Sequence, residues 1–417
     1  MRDGWVIKKL EDVCTKFGAG PFGSNMKVST FVDAGIPVVS GNHMSELELV
    51  EESFNYVTED HANRMQSSIV QRNDVVITKA GTIGQVSLIP ENSKFLRYVL
   101  SSRQLFARPN VEYVVPKYLA IYLKYGRGQD QILSNVNRTG VPSLSQAVSF
   151  MKNVRIELPP LPEQKRIVDL ISSADSYIAA LKQQLESTKK SRKAVLRELL
   201  TVGGIGWEES TLGDLISHSI GGIWGEEQGG AEVDVPVYRQ TEFSDSGILT
   251  TPAEAIRSVS RSQLKNRTLQ EGDILIQKSA GTPNLPGRVV SVPNLNGEVA
   301  TFSNFLNLLR PNTDMCISRL AFLIFWDKHQ DGRAFQYQRG TNIKNLDLPS
   351  YLLETILIPS APDQNRIVEL ISTFDDFLAQ TNHSISLFEN LRSGLLSDLL
   401  SGDHEIPSSY DKVIGAA

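Results

Sequence analysis

Three short polar stretches recur in the two halves of this chain, and their side chains suit contact with a polyanion better than they suit catalysis. Asp74-(x)4-Lys79-Ala80-Gly81-Thr82 is matched by Asp273-(x)4-Lys278-Ser279-Ala280-Gly281-Thr282, one residue longer. Each begins where a β-rich run ends, so a lysine and backbone N–H groups can approach phosphate past small side chains. Asn135-Val136-Asn137-Arg138-Thr139-Gly140 is matched by Tyr337-Gln338-Arg339-Gly340-Thr341-Asn342. Arginine and asparagine present the paired donors and acceptors that fit guanine and adenine edges. The third pair is a strand running into polar residues, Ser40-Gly41-Asn42-His43 against Arg239-Gln240-Thr241-Glu242. The candidate nucleic-acid contacts are therefore Asn42, His43, Lys79, Thr82, Asn137, Arg138 and Thr139 in the first half. In the second they are Arg239, Gln240, Lys278, Thr282, Arg339, Thr341 and Asn342. A solvated β-turn and a polar helix cap are the competing readings of the first two motifs.

Motifs that would carry a reaction are missing. Gly18-Ala-Gly-Pro-Phe-Gly23 fits GxGxxG, but Pro21 sits where the helix should begin to propagate and SNMKVST after it lacks an apolar helical face, so it reads as a turn. There is no GxxxxGK[ST], no base-holding Pro-Pro-aromatic after Asn or Asp, and no nuclease carboxylate pair ahead of a lysine. Scattered histidines and two unmatched cysteines, Cys14 and Cys316, give no metal-ligand spacing and no disulfide. The expectation is a non-catalytic chain without cofactor or metal of its own. No apolar stretch reaches membrane-spanning length and MRDGWVIKKL lacks a signal-peptide core, which points to the cytoplasm.

The elements that position these loops are themselves repeated. LPPLPEQKRIVDLISSAD at 158–175 and IPSAPDQNRIVELISTFD at 358–375 share ten of eighteen positions at an offset of 200, and Trp5, Leu10 and Asp12 recur as Trp207, Leu212 and Asp214. Such a chain should have a pseudo-twofold axis. After Pro162, apolar residues fall at Ile167, Ile171, Ala174, Ile178, Leu181, Leu185, Val195 and Leu199, a heptad seam interrupted by Thr188 and Arg192. The second copy follows through Ile367, Ile371, Phe374, Leu378, Ile385, Phe388, Leu395 and Leu399, interrupted by Thr381 and Arg392. Proline in the first turn and glycine beyond the last mark helices of about 38 residues, roughly 57 Å at 1.5 Å per residue. Their charges are opposed, 8 positive and 5 negative over 163–200 against 2 and 6 over 363–400, so they should pair, antiparallel under a twofold. A seam arginine marks either an opening to a partner subunit, with Arg192 and Arg392 as contacts, or a side chain reaching acids on the other helix.

The rest of each half, with β-rich runs at 75–78 and 274–277 and helical spacing at 116–125 and 318–326, reads as mixed structure. The fold class is thus α/β (α+β): two globular domains separated by two long antiparallel coiled-coil helices. The boundaries fall at 1–157, 158–205, 206–360, 361–402 and a tail 403–417. Net charge is -5, concentrated in the second half, so any DNA-binding surface must be local.

The Pro-Leu-Pro-Glu-Gln-Lys-Arg-Ile helix start, repeated as Ala-Pro-Asp-Gln-Asn-Arg-Ile, resembles the specificity subunits of type I restriction-modification systems over essentially the whole chain. The resemblance implies two target recognition domains, each reading half of a split double-stranded DNA site, with the helices setting the spacer. It implies two methyltransferase subunits that bring S-adenosylmethionine, and two restriction subunits that use ATP and Mg. The chain departs from the family's tidiest pattern in the wording of its second helix start and in its acidic second domain. A scaffold that spaces protein-binding domains is the alternative, against which the recurring lysine and arginine loops speak.

Overall fold

The computed structural model describes residues 4–138, 140–282 and 284–411, and they form two compact units. One unit is Met1–Lys182 together with Ser384–Ala417, and the other is Gln183–His383. The cut runs through both long helices, Leu161–Thr201 and Ala361–Ser401, of 41 residues each. Each unit therefore owns half of each helix. The glycines expected to end them do so in left-handed conformations, Gly203 at φ +70° and Gly402 at φ +78°.

In the first unit the run Val75–Thr78 is buried on both faces and sits third in an antiparallel sheet ordered Cys14–Ala19, Gln104–Pro109, Val75–Thr78, Val86–Leu88. A second sheet, ordered Asn55–Val57, Ile36–Val39, Arg97–Leu100, Ile69–Gln71, contains one parallel pair, Val38 with Val99. Helix Pro116–Tyr125 buries Tyr118 to Leu123 in the same core as Ile167, Ile171, Leu396 and Leu399. The second unit repeats this plan. Its sheet runs Ile216–Gly221, Leu306–Pro311, Ile274–Gln277, Val289–Ser291, and its smaller sheet again has one parallel pair, Val237 with Thr301. Helix Ser318–Gln330 takes the place of Pro116–Tyr125.

The repeated helix start is a clasp. Gln164 accepts from the Val115 amide at 2.8 Å and donates to the carbonyls of Tyr113 at 3.1 Å and Pro159 at 2.9 Å. Gln364 accepts from Ile317 at 3.0 Å and donates to Met315 at 3.2 Å and Pro359 at 3.1 Å. The acid one residue earlier receives an indole N–H, Trp5 to Glu163 at 3.3 Å and Trp207 to Asp363 at 2.8 Å. These contacts explain why a tryptophan near each domain start and a Glu/Asp-Gln pair 156 or more residues later recur together. A further matched pair lies under each main sheet. Arg108 grips the buried Asp74 through Nε and Nη2 at 2.7 Å each, and Arg310 grips Asp273 at 2.8 Å each.

Within each unit the helix halves run antiparallel. In the first, Tyr177 meets Phe388 edge to face at 4.6 Å and Lys182 pairs with Glu389 at 2.7 Å. The heptad frame holds at Ile167, Ile171, Ile367 and Ile371 but not near the helix ends, where Leu196 and Leu396 are buried and Val195 and Leu395 only half so. There each helix packs on its globular domain as well as on its partner, so the apolar stripe widens and turns.

The seam arginines are not free for a partner. Arg192 reaches Asp375 through Nε at 2.6 Å and Nη2 at 3.2 Å, lies 4.7 Å from the Trp326 ring, and is 5% exposed. Arg319 holds the same carboxylate at 2.7 Å. Arg392 pairs with Asp175 and lies 4.8 Å from the Tyr125 ring. Of the two readings of a seam arginine, these contacts favour the one that reaches acids on the other helix: each joins the opposite helix to an aromatic ring of the domain.

Candidate nucleic-acid interface

In the first unit the three recurring stretches fold onto one face. The chain leaves strand Val75–Thr78 at Lys79, whose amide donates to the Arg103 carbonyl at 2.8 Å and whose carbonyl accepts from Leu144 at 2.9 Å. Ala80 pairs with Ser143, and the Gly81 amide donates to Pro142 at 2.9 Å. The lysine loop thus lies beside the hairpin formed by Val136–Asn137 and Ser143–Leu144, which presents Asn137 and Arg138 to solvent. Gly81 sits at φ +88°, a conformation that a β-carbon would strain. Asn42 and Thr82 line one cleft of about 240 Å³ with Ala80, Arg103 and Gln104. Lys79 is half-buried, and burial lowers its ammonium pKa, which an approaching phosphate would reverse. Thr139 lies outside the described residues.

The second unit builds the same corner from other side chains. Lys278 donates its amide to Phe305 at 2.8 Å and accepts from Leu346 at 2.8 Å, while Ser279–Ala280 pairs with Lys344–Leu346, which pairs with Gln338–Arg339. Thr282, Arg339, Thr341 and Asn342 are exposed and Lys278 is half-buried. Gln240 is half-buried, its Oε1 without a hydrogen-bond partner among the described residues.

Two of the candidates are engaged within their own turn. His43 is buried, accepts from the Ser40 amide at 3.0 Å and packs 4.4 Å from the Phe54 ring, so it closes its own turn. Arg239 is tied to Glu242 at 3.0 Å and Glu254 at 2.8 Å. Glu242, at the position of His43, accepts the Arg239 amide at 2.7 Å. Both residues cap a turn from its third position, which side-chain type alone does not reveal.

That exchange makes the two turns respond differently to acid. Burial lowers the pKa of His43, with hydrogen bonds to neighbouring carbonyls opposing it. The unfolded chain then takes up the proton more readily, so stability from this turn is full above the ordinary imidazole pKa near 6.5 and is lost as pH falls from there through the folded value. Burial works to raise the Glu242 carboxyl, but the Arg239 amide and guanidinium hold it below the usual value, so stability from its turn is full above about pH 4.5 and is lost only as pH falls from there through the folded value. Between pH 7.5 and 5.5, amide protection factors, which correct for the intrinsic pH dependence of exchange, should fall at 40–50 and not at 239–250. A His43→Gln protein that still shows the acid-induced fall in protection would sink this assignment.

Residues missed in the sequence change the balance of charge. Arg103 is exposed, its Nη1 3.5 Å from where a Gly81 β-carbon would stand, and Phe305 occupies the matching backbone position in the second unit. Among the described residues, Lys79, Arg103 and Arg138 have no carboxylate partner in the first unit. In the second, Arg257 pairs with Glu227 at 2.7 Å, Arg288 with Asp245 at 3.3 Å and Arg339 with Asp347 at 3.4 Å, in addition to the Arg239 pairs. On the first face Lys79, Arg103 and Arg138 all lack a carboxylate, whereas on the second Arg339 is paired with Asp347 and Lys278 and Lys344 have no carboxylate partner among the described residues.

The model of the type I restriction modification DNA specificity domain matches the chain twice, over residues 2–189 and 204–387. The chain belongs to that family. Each specificity-domain match takes in one globular part and most of the long helix that follows it. The chain is 22% identical over 427 residues to the type I restriction enzyme StySPI specificity subunit of Salmonella potsdam, across 96% of this chain and 89% of that one. A chain from a structural study of complex assembly and conformational transition of the type I R-M system superposes with a TM-score of 0.64 at 17% identity, covering 97% of this chain and 99% of that chain. The HsdS subunit from Thermoanaerobacter tengcongensis gives 0.51 at 18% identity, covering 97% and 98%. At these identities the specificity-domain fold is what is shared. Among the described residues no helix is long and apolar enough to cross a membrane.

Proposed function

We propose that the chain is the DNA-specificity subunit of a type I restriction-modification complex, each globular part reading one half of a split, asymmetric DNA target. The observation that carries this reading is the gathering of the three recurring polar stretches on one face of the first unit, with the lysine loop and its hairpin side by side again in the second. Both faces keep a lysine at the strand exit and a polar hairpin beside it, as backbone contacts require, while the surrounding side chains differ: Ser40 against Arg239, Arg103 against Phe305. Two different faces read two different half-sites. The chain itself is non-catalytic and acts in the cytoplasm; two methyltransferase subunits bring S-adenosylmethionine, and two restriction subunits bring ATP and Mg.

The paired helices set the spacer and dock the methyltransferase subunits. Co-expression with the methyltransferase of its own operon, in a host lacking adenine methylation, should place N6-methyladenine at a single split motif. Removing seven residues from each helix shortens it by about 10 Å, close to 3 base pairs, and should shorten the spacer by about that much with both half-sites unchanged. Altered half-sites would refute the ruler. A stable complex that methylates nothing would favour a scaffold without DNA recognition.

A further inference from the structure

The glycine-rich stretch that resembles a dinucleotide fingerprint has a different use in this fold. It leaves the edge of the main sheet after Cys14–Ala19 and carries Phe22 at its tip, 87% exposed. The tip is braced. The Gly20 amide donates to Gln104 at 2.8 Å, and a β-carbon at Gly20 would stand 1.7 Å from the Ser101 carbonyl. Ser68 Oγ donates to the Ala19 carbonyl at 2.8 Å, the Asn25 amide donates to the Phe22 carbonyl at 2.9 Å, and His61 Nε2 donates to the Asn25 carbonyl at 2.8 Å. Pro21 fixes the backbone just before the ring. A large aromatic ring is thus held out in water on a stiff mount, against the hydrophobic effect.

Its surroundings are cationic. Phe22 lines a cleft of about 530 Å³ with Arg64, Met65 and Lys79. Lys79 is also where the lysine loop begins, and Ser102 of the same cleft is followed by Arg103. The ring therefore continues the proposed DNA face of the first unit. The corresponding turn of the second unit, Gly221-Gly222-Ile223-Trp224-Gly225, holds its aromatic differently: Trp224 packs on Val235, Val237 and Val259 with the Arg257 guanidinium 4.9 Å from its ring.

Resting on the DNA-recognition reading above, we infer that Phe22 inserts between neighbouring base pairs of the first half-site, while Lys79 and Arg64 hold the flanking phosphates. Apolar side chains that enter a base step unstack it and bend the duplex, and a flat ring tolerates any base against its face. Such a contact adds sequence preference through the ease of unstacking, greatest at pyrimidine–purine steps. The second half-site is read without a wedge.

The test uses the assembled complex with its methyltransferase and duplexes carrying 2-aminopurine at successive positions of each half-site, excluding the methylated adenine. With the wild-type chain, fluorescence should rise at one step of the first half-site and at none of the second. Phe22→Ala should abolish that rise and weaken specific binding about tenfold, and Phe22→Trp should retain both. Phe22→Ala with unaltered fluorescence and affinity would overturn the inference. So would a Phe22→Ala chain that fails to assemble with the methyltransferase in the absence of DNA, since the ring would then be a protein contact. If no duplex is bound specifically by the wild-type complex, the DNA reading itself falls.

Discussion

Replacing Lys79 with methionine and Arg103 and Arg138 with alanine should lower the affinity of the assembled complex for its target on the order of 100-fold at low salt. It should also flatten the dependence of log K on log salt by about 2 to 3. Each of these cations lies on the polar face of the first unit with no carboxylate partner among the described residues, so each can release a counterion from a phosphate. Methionine keeps the apolar stem of the half-buried Lys79, which separates loss of charge from loss of packing. The companion set in the second unit, Lys278, Arg339 and Lys344, should change the slope less, by about 2 at most, because Arg339 already faces Asp347 at 3.4 Å while the two lysines do not face a carboxylate among the described residues. Equal slope changes from the two sets would refute the asymmetry. An unchanged slope in the first would remove these residues from the interface.

The second large effect concerns the clasp. Gln164→Leu leaves the Val115 amide and the Tyr113 and Pro159 carbonyls without their partner at a site that is fully buried, and each stranded group costs about 1 to 3 kcal/mol. A loss of about 4 kcal/mol from the first unit is expected. Gln364→Leu should do the same to the second. Amide exchange distinguishes them: Gln164→Leu should expose helix 116–125 and spare helix 318–330, and Gln364→Leu the reverse. Wild-type protection in both helices would show that the glutamines are dispensable.

The clasp also indicates what a single sequence can disclose. Local features were legible: the β-branched strands 75–78 and 274–277, the helix beginning at Pro116, and the long helices with proline at one end and glycine at the other. Helix 318–330 ran one turn past the predicted 326 because Asp327 and Lys328 continue it without an apolar signal. The recurrence of Lys79 and Lys278 and of the hairpins was legible too, because those loops keep both type and order. What a side chain aims at was not. Arg239 looks like a base reader until Glu254, fifteen residues on, is found against it, and His43 looks like a donor until Phe54 covers it. Arg103 gives no sequence signal because it follows a turn whose register with Lys79 exists only in the sheet. Arg192 and Arg392 showed their oddity in the heptad pattern, but their aspartates stand 183 and 217 residues away.

The division of both long helices between the units has a consequence for synthesis. The core around Ile167 and Ile171 is completed by Leu396, Leu399, Leu400 and Ile406, more than two hundred residues downstream. At 5 to 20 residues per second, the ribosome needs roughly 10 to 40 s to deliver that last segment after the first helix half has emerged. The second unit, whose residues are contiguous from Gln183 to His383, can close in the meantime. The first part of the chain to be made is thus the last to be sealed, and its uncovered isoleucines are the place where a chaperone, or an aggregate, would take hold.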